Sequence, residues 1–227
     1  MRVCAAAPFA PEDALVSDDL RWQAHDIVRL RRLESFDNEP AWVRAAFARA
    51  PFAVVRRAQA AAGLVAVGLR GAARNERYGA WARSDDIEAV FRPEALLSSP
   101  CVLAADRAGL PVFVALDALR RDTSCIGSFI WGPTGSVGFE LASGKATATT
   151  TSDLDLLIRM PNYLPRDEAH RIQAKLNEHA AHAGIRIDAQ LETPAGGIAL
   201  AEYASGKARV MARHASGPRL VSDPWAL

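Results

Sequence analysis

The sequence predicts a mixed α/β (α+β) protein: a mixed sheet with flanking helices in the second half, preceded by a smaller N-terminal α+β domain. Three observations carry this. Residues 149–159 and 185–192 are rich in β-branched and alternating apolar residues. Between them, Asp167 to Ala183 has helical periodicity, with Pro165 before it and Gly184 after it. The first 100 residues interleave short apolar runs with one proline-bounded helix.

The chain of 227 residues is long enough for one large domain or two small ones. Apolar residues make up 50%, charged residues 23% and aromatics 7%, which excludes a disordered chain, a collagen-like chain and a disulfide scaffold. The formal charge of +1 excludes a dedicated nucleic-acid binder. Residues 20–92 nevertheless carry 13 arginines, no lysine and 8 acidic residues, a net +5, against a net −1 for residues 93–227. The basic part reads as a surface for phosphates or a carboxylate-rich partner, and equally as the arginine bias of a GC-rich genome. Cys4, Cys101 and Cys125 are odd in number and lack metal-ligand spacing, so a reducing cytoplasm is expected. No apolar run approaches about 18 residues, so no membrane span is expected. Met1 to Pro11 lacks a full apolar stretch and reads as a ragged terminus, not a signal peptide.

Along the chain, residues 22–30 have no clear period. Pro40 opens a helix with Trp42, Val43, Ala46, Phe47 and Ala50 on one face, and Pro51 stops it. Phe52–Arg57 and Leu64–Leu69 read as two strands, Gly71–Ala80 as a loop ringed by arginines, and Ile87–Leu97 as a segment ending in a short helix. Leu97–Pro100 is the expected linker, giving domains 1–100 and 101–227. Cys101–Arg121 reads as helical around Pro111. Strands are expected at Phe129–Trp131, Val137–Leu141, Thr149–Arg159, Ile185–Glu192 and Ile198–Tyr203.

The chemistry concentrates in Ser152-Asp153-Leu154-Asp155-Leu156-Leu157-Ile158. Strand alternation sets Asp153 and Asp155 on one face, about 7 Å apart, and Leu154, Leu156 and Ile158 on the other. Two such carboxylates suit a hard cation such as Mg²⁺, although Asp-x-Asp is also what a solvated strand end looks like. In Ile185–Glu192, alternation groups Arg186, Asp188, Gln190 and Glu192 opposite Ile185, Ile187, Ala189 and Leu191. With one helix between the strands, both polar faces can meet in one cleft, and Asp188 becomes a third carboxylate. Three carboxylates suit in-line displacement at phosphorus; a surface pair between Asp188 and Arg186 is the alternative. In Trp131-Gly132-Pro133-Thr134-Gly135-Ser136, the glycine allows backbone N–H groups close to phosphate oxygens and Ser136 adds a hydroxyl. It is not a P-loop, a Gly-x-Gly-x-x-Gly turn or a nucleophile elbow, and a plain tight turn reads equally well.

In this order, Gly135-Ser136, Asp153-Leu154-Asp155 and Asp188 resemble the polymerase-β-type nucleotidyltransferase superfamily. The 17 positions from Ser136 to Asp153 exceed its usual spacing and read as a hairpin. A closer resemblance covers nearly the whole chain. Residues 131–144, 152–159, 191–197 and 217–225, with His25–Leu30 and Val65–Gly71, are similar to the malonate decarboxylase holo-acyl-carrier-protein synthase family, also called phosphoribosyl-dephospho-CoA transferase. The resemblance implies a nucleotidyltransferase-like fold and a cytoplasmic enzyme. It also implies transfer of phosphoribosyl-dephospho-CoA from a triphosphoribosyl-dephospho-CoA donor to a serine of the malonate decarboxylase acyl carrier subunit, with diphosphate leaving. Asp153 and Asp155 are then expected to hold Mg²⁺ or Mn²⁺, with Asp188 as ligand or base and Gly135 and Ser136 on the leaving phosphates. The N-terminal domain is expected to recognise the CoA-like group or the carrier.

Weaker candidates are Arg70, Arg74 and Arg77, for substrate phosphates or as solvated loop residues, and Arg159, for diphosphate or a neighbouring carboxylate. His25-Asp26 reads as a structural hydrogen bond, and His179 and His182 as surface residues. Rival readings are a nucleotidyltransferase acting on another small molecule or RNA, and a non-catalytic nucleotide- or carrier-binding adaptor.

Overall fold

A computed structural model of the chain describes residues 3–14, 21–73, 75–98 and 105–226. Arg74, Cys101 and the Ser99-Pro100 part of the expected linker lie outside the described residues. The chain forms two compact units, Met1–Arg92 and Pro93–Leu227. Both mix helices with a six-stranded sheet, so the α+β class expected from the sequence holds.

The first unit comprises β1 (Val3–Cys4), β2 (Ile27–Leu30), α1 (Trp42–Arg49), β3 (Phe52–Val55), β4 (Leu64–Arg70), β5 (Arg77–Arg83) and β6 (Ile87–Phe91). Its sheet order is β1-β5-β4-β3-β2-β6, antiparallel except where β1 runs parallel to β5. Helix α1 ends where Pro51 removes the next N–H donor, and its Val43 joins Val28, Leu30, Val55, Val67 and Tyr78 in the core. β5 takes up the last four residues of the segment expected as a loop, 77–80. Five consecutive residues, Tyr78 to Ala82, are buried, so no polar alternation marks the strand. Small residues admit it between two neighbours: a Cβ on Gly79 would lie 2.7 Å from Cys4 Sγ.

The second unit opens with a 3₁₀ turn, Pro93–Leu97. It continues with α2 (Ala105–Ala108), α3 (Pro111–Arg121), α4 (Thr123–Ile126), β7 (Ile130–Pro133), α5 (Gly135–Ser143), β8 (Leu154–Arg159), α6 (Arg166–Ala183), β9 (Ile187–Thr193), β10 (Gly196–Ala199), α7 (Leu200–Ala204), β11 (Val210–His214) and β12 (Gly217–Val221). Leu97, expected in a linker, instead packs on this unit's core. The sheet order is β12-β11-β10-β9-β8-β7, with only β8 and β9 parallel. Helix α6 makes their crossover and buries Ala169, Ile172 and Leu176. These join Leu154, Leu156, Ile158, Ile187, Leu191, Val210 and Ala212 in one core. The opposite sides of β8 and β9 therefore carry the polar residues.

Four segments of this unit differ from the sequence reading. The strand expected over Thr149–Arg159 is confined to β8, and residues 149–153 form the turn and loop before it. Val137–Leu141 is not a strand but lies within α5. Its apolar alternation mimics a strand, yet the buried residues are Ser136, Val137, Gly138 and Glu140 and not every second position. Gly144, at φ +66°, ends the helix as a left-handed cap. The expected hairpin before Asp153 is thus a helix followed by a loop. Ile198–Tyr203 divides into the end of β10 and α7. β11 and β12 form a hairpin that the sequence reading did not include. No helix among the described residues is long and apolar enough to cross a membrane.

Candidate functional site

The site is built where β8 and β9 run parallel. Asp155 stands in register with Asp188, flanked by the pairs Leu154–Ile187 and Leu156–Ala189. Neighbouring strands lie about 4.8 Å apart, and residues in register point to the same side. The two carboxylates therefore share one sheet face. Asp153 precedes β8 by one residue, where Leu154 N–H donates to the Arg186 carbonyl at 2.9 Å. Arg186 hydrogen-bonds Asp188 through Nη2. The charge of Asp188, then that of Asp153 and more weakly that of Asp155, pushes the Arg186 guanidinium above its ordinary value. Three carboxylates and one arginine thus share one electrostatic neighbourhood.

The turn from β7 into α5 closes against Asp155. Thr134 N–H donates to the Asp155 carbonyl at 2.8 Å. Gly135 has φ +60°, and a Cβ there would collide with Asp155 Oδ2. Only glycine both adopts this backbone readily and leaves room for the carboxylate. Ser136, in the first turn of α5, is buried. Gly135, Asp155 and Asp188 are therefore gathered at one place, with Ser136 next in the chain.

The loop leading to Asp153 is held by a buried carboxylate absent from the sequence candidates. Glu140 accepts from Arg107 Nε and Nη2 and from the Thr147 and Ala148 N–H groups, each at 2.8 Å. Burial alone would raise its pKa, but the Arg107 hydrogen bond and those two backbone donors outweigh burial and hold it below the ordinary value. The sequence signal is a lone acid in an otherwise uncharged helix, 135–143. Gln190, next along the polar side of β9, accepts from Arg213 Nη1 of β11 at 2.9 Å; that contact becomes legible only once the hairpin is known.

Other candidates lie elsewhere. Arg159 is the last residue of β8, about 13 Å along the strand from Asp155. There it pairs with Glu94 at 3.3 Å, so the carboxylate it meets is not one of the three aspartates. Arg70 ends β4 of the first unit in register with Arg77. His179, expected on the surface, is only 20% exposed and lies 2.9 Å from Asp122. His25 adopts φ +74°, with Nε2 3.2 Å from Arg57 Nη1. Asp26 is fully buried and accepts the Gln23 N–H at 2.9 Å.

Among the described residues, no three His, Cys, Asp or Glu side chains form a ready-made metal cage. The donor set at β8 and β9 is nonetheless all hard oxygen. Mg²⁺ commonly takes one or two carboxylates and completes its shell with water and substrate phosphates. Asp155 and Asp188, with Asp153 beside them, fit that mode of binding.

The comparisons with known proteins define a class: the protein is a transferase. Residues 98–224 match the family model described as "Phosphoribosyl-dephospho-CoA transferase MdcG C-terminal domain", and residues 23–93 match its N-terminal counterpart. A phosphoribosyl-dephospho-CoA transferase of Pseudomonas aeruginosa is 44% identical over 191 residues, 84% of this chain and 87% of that protein. Those of Pseudomonas fluorescens and Azotobacter vinelandii are 42% and 39% identical, covering 90% and 89% of this chain and 94% of each relative. No solved structure matches the chain. The chain belongs to the phosphoribosyl-dephospho-CoA transferase family.

Proposed function

We propose that this protein transfers phosphoribosyl-dephospho-CoA from triphosphoribosyl-dephospho-CoA to a serine of the malonate decarboxylase acyl carrier subunit. The serine oxygen attacks the α-phosphorus, a new O–P bond forms, the bond to the β-phosphate oxygen breaks, and diphosphate leaves. The observation that carries this reading is Asp155 in register with Asp188, against Gly135, within the region matched by the family model. Asp153 and Asp155 hold Mg²⁺ or Mn²⁺, with Asp188 as a further ligand or as the base that takes the serine proton. The bound cation supplies charge neutralisation on the phosphates. Gly135 and Ser136 hold the leaving phosphates at the start of α5, where backbone N–H groups favour anions. The N-terminal unit, with Arg70 and Arg74, recognises the donor or the carrier, and the enzyme works in the cytoplasm.

Mass spectrometry of the apo-carrier subunit tests this, after incubation with the donor, Mg²⁺ and the enzyme. The expected result is one added phosphoribosyl-dephospho-CoA on a serine, with diphosphate released in equal amount. An unmodified carrier at full donor and Mg²⁺ overturns the reading.

A further inference from the structure

Arg186 has a place in the acidic site that pairing with Asp188 alone does not describe. It sits two residues before Asp188, immediately ahead of β9. Its carbonyl is bonded to the first residue of β8, beside Asp153. Its guanidinium donates to Asp188 and interacts electrostatically with Asp153 and Asp155 as well. One carboxylate assigned to the divalent cation, Asp188, is therefore already bonded to a cation of its own chain, and the other two lie within its field.

The chemistry of arginine sharpens this. The Arg186 guanidinium keeps its charge at any physiological pH, so it competes with any other cation for the Asp188 oxygen it holds. The pair is also shallow: the Arg186 side chain is 68% exposed and that of Asp188 is 51% exposed. An ion pair this open is weak and solvent-screened, so the guanidinium can leave without disturbing the core.

We propose that Arg186 is the resident counter-ion of the acidic site, and that a divalent cation gains the carboxylates only as Arg186 releases them. Arg186 thereby sets the threshold for divalent-cation binding. By holding Asp188 it weakens the site's grip on a cation that arrives alone. The inference rests on the metal reading of Asp153, Asp155 and Asp188 given above.

Titration with Mn²⁺ alone, following free Mn²⁺ by electron paramagnetic resonance, tests it without reference to activity. The proteins are the full-length wild type, Arg186→Gln, Arg186→Lys and Asp155→Asn, each checked for folding by circular dichroism. Arg186→Gln is expected to bind Mn²⁺ about threefold to fivefold more tightly than wild type, the scale of one exposed ion pair. Arg186→Lys, which keeps the charge, should stay within about twofold of wild type. Equal or weaker Mn²⁺ binding by Arg186→Gln overturns the proposal. Asp155→Asn separates the two levels. If it loses Mn²⁺ while Arg186→Gln matches wild type, the counter-ion role falls and the metal site stands. If Asp155→Asn binds as wild type does, both fall.

Discussion

The side-chain oxygen Oδ2 of Asp155 occupies the space that a Cβ on Gly135 would need. The start of α5 and the start of β8 are thus built around each other. Gly135→Ala must both hold a left-handed backbone, at roughly 1–2 kcal/mol, and push the carboxylate away. We expect a lowered melting temperature and a transfer rate down by about 100-fold, the scale of an ångström-sized misplacement of a reacting group. Near-wild-type transfer by Gly135→Ala would show that the close approach has no part in the reaction.

Asp153→Asn and Asp155→Asn should each abolish transfer while leaving thermal stability nearly unchanged. Neither change opens a cavity, because asparagine matches aspartate in size and both positions are partly exposed. The wild-type enzyme should stop in chelator and recover with added Mg²⁺ or Mn²⁺. Wild-type turnover in either variant, or full activity in chelator, would remove the cation from the proposed mechanism.

The β8–α6–β9 unit was legible in the sequence because two independent signals agreed. Pro165 and Gly184 bracket the helix, and alternation sets Leu154, Leu156 and Ile158, and Ile187 and Leu191, opposite Asp155 and Asp188, although Leu157 breaks the pattern on the aspartate side. The start of α5 was not legible. Val137, Phe139 and Leu141 alternate like a strand, and the helix is recognised only when Glu140 is seen buried with Arg107, which lies 33 residues away in sequence. β5 was hidden for a different reason: it is buried on both faces, so alternation is missing where the strand is most secure. Arg159 shows the limit of reading faces from sequence. Alternation sets it on the side of Asp155, but alternation does not report distance along the strand, and its partner Glu94 lies 65 residues away.

Breaking the Arg107–Glu140 pair should destabilise the second unit by more than a surface ion pair would. The Glu140 side chain is 3% exposed, and Arg107→Met leaves its charge with only two backbone donors. Removing one partner of a buried pair typically costs about 3 kcal/mol. We expect a clear drop in the denaturation midpoint, partly recovered in Arg107→Met/Glu140→Met, where no buried charge remains unpaired. Transfer should fall as well, because Glu140 anchors the loop before Asp153. An unchanged midpoint in Arg107→Met would mean that the two backbone donors suffice.

The Asp122 carboxyl gives the fold a pH dependence whose sign follows from the structure. The Ser124 hydroxyl first, and His179 next, hold the Asp122 carboxyl down at about 2. In the unfolded chain the same carboxyl titrates near about 3.9. A carboxyl whose pKa is lower when folded stabilises the fold when ionised. That stabilisation is complete above the unfolded value and is lost as pH falls toward the folded one. Asp122→Asn should therefore melt at a lower temperature than wild type at pH 5 to 7. The gap should close between about pH 4 and pH 2, where the wild-type carboxyl takes up its proton as well. Melting curves of both proteins across that range, at constant ionic strength, measure it. A gap that stays constant down to pH 2 would assign the loss to the helix cap at Ser124 rather than to the charge of Asp122.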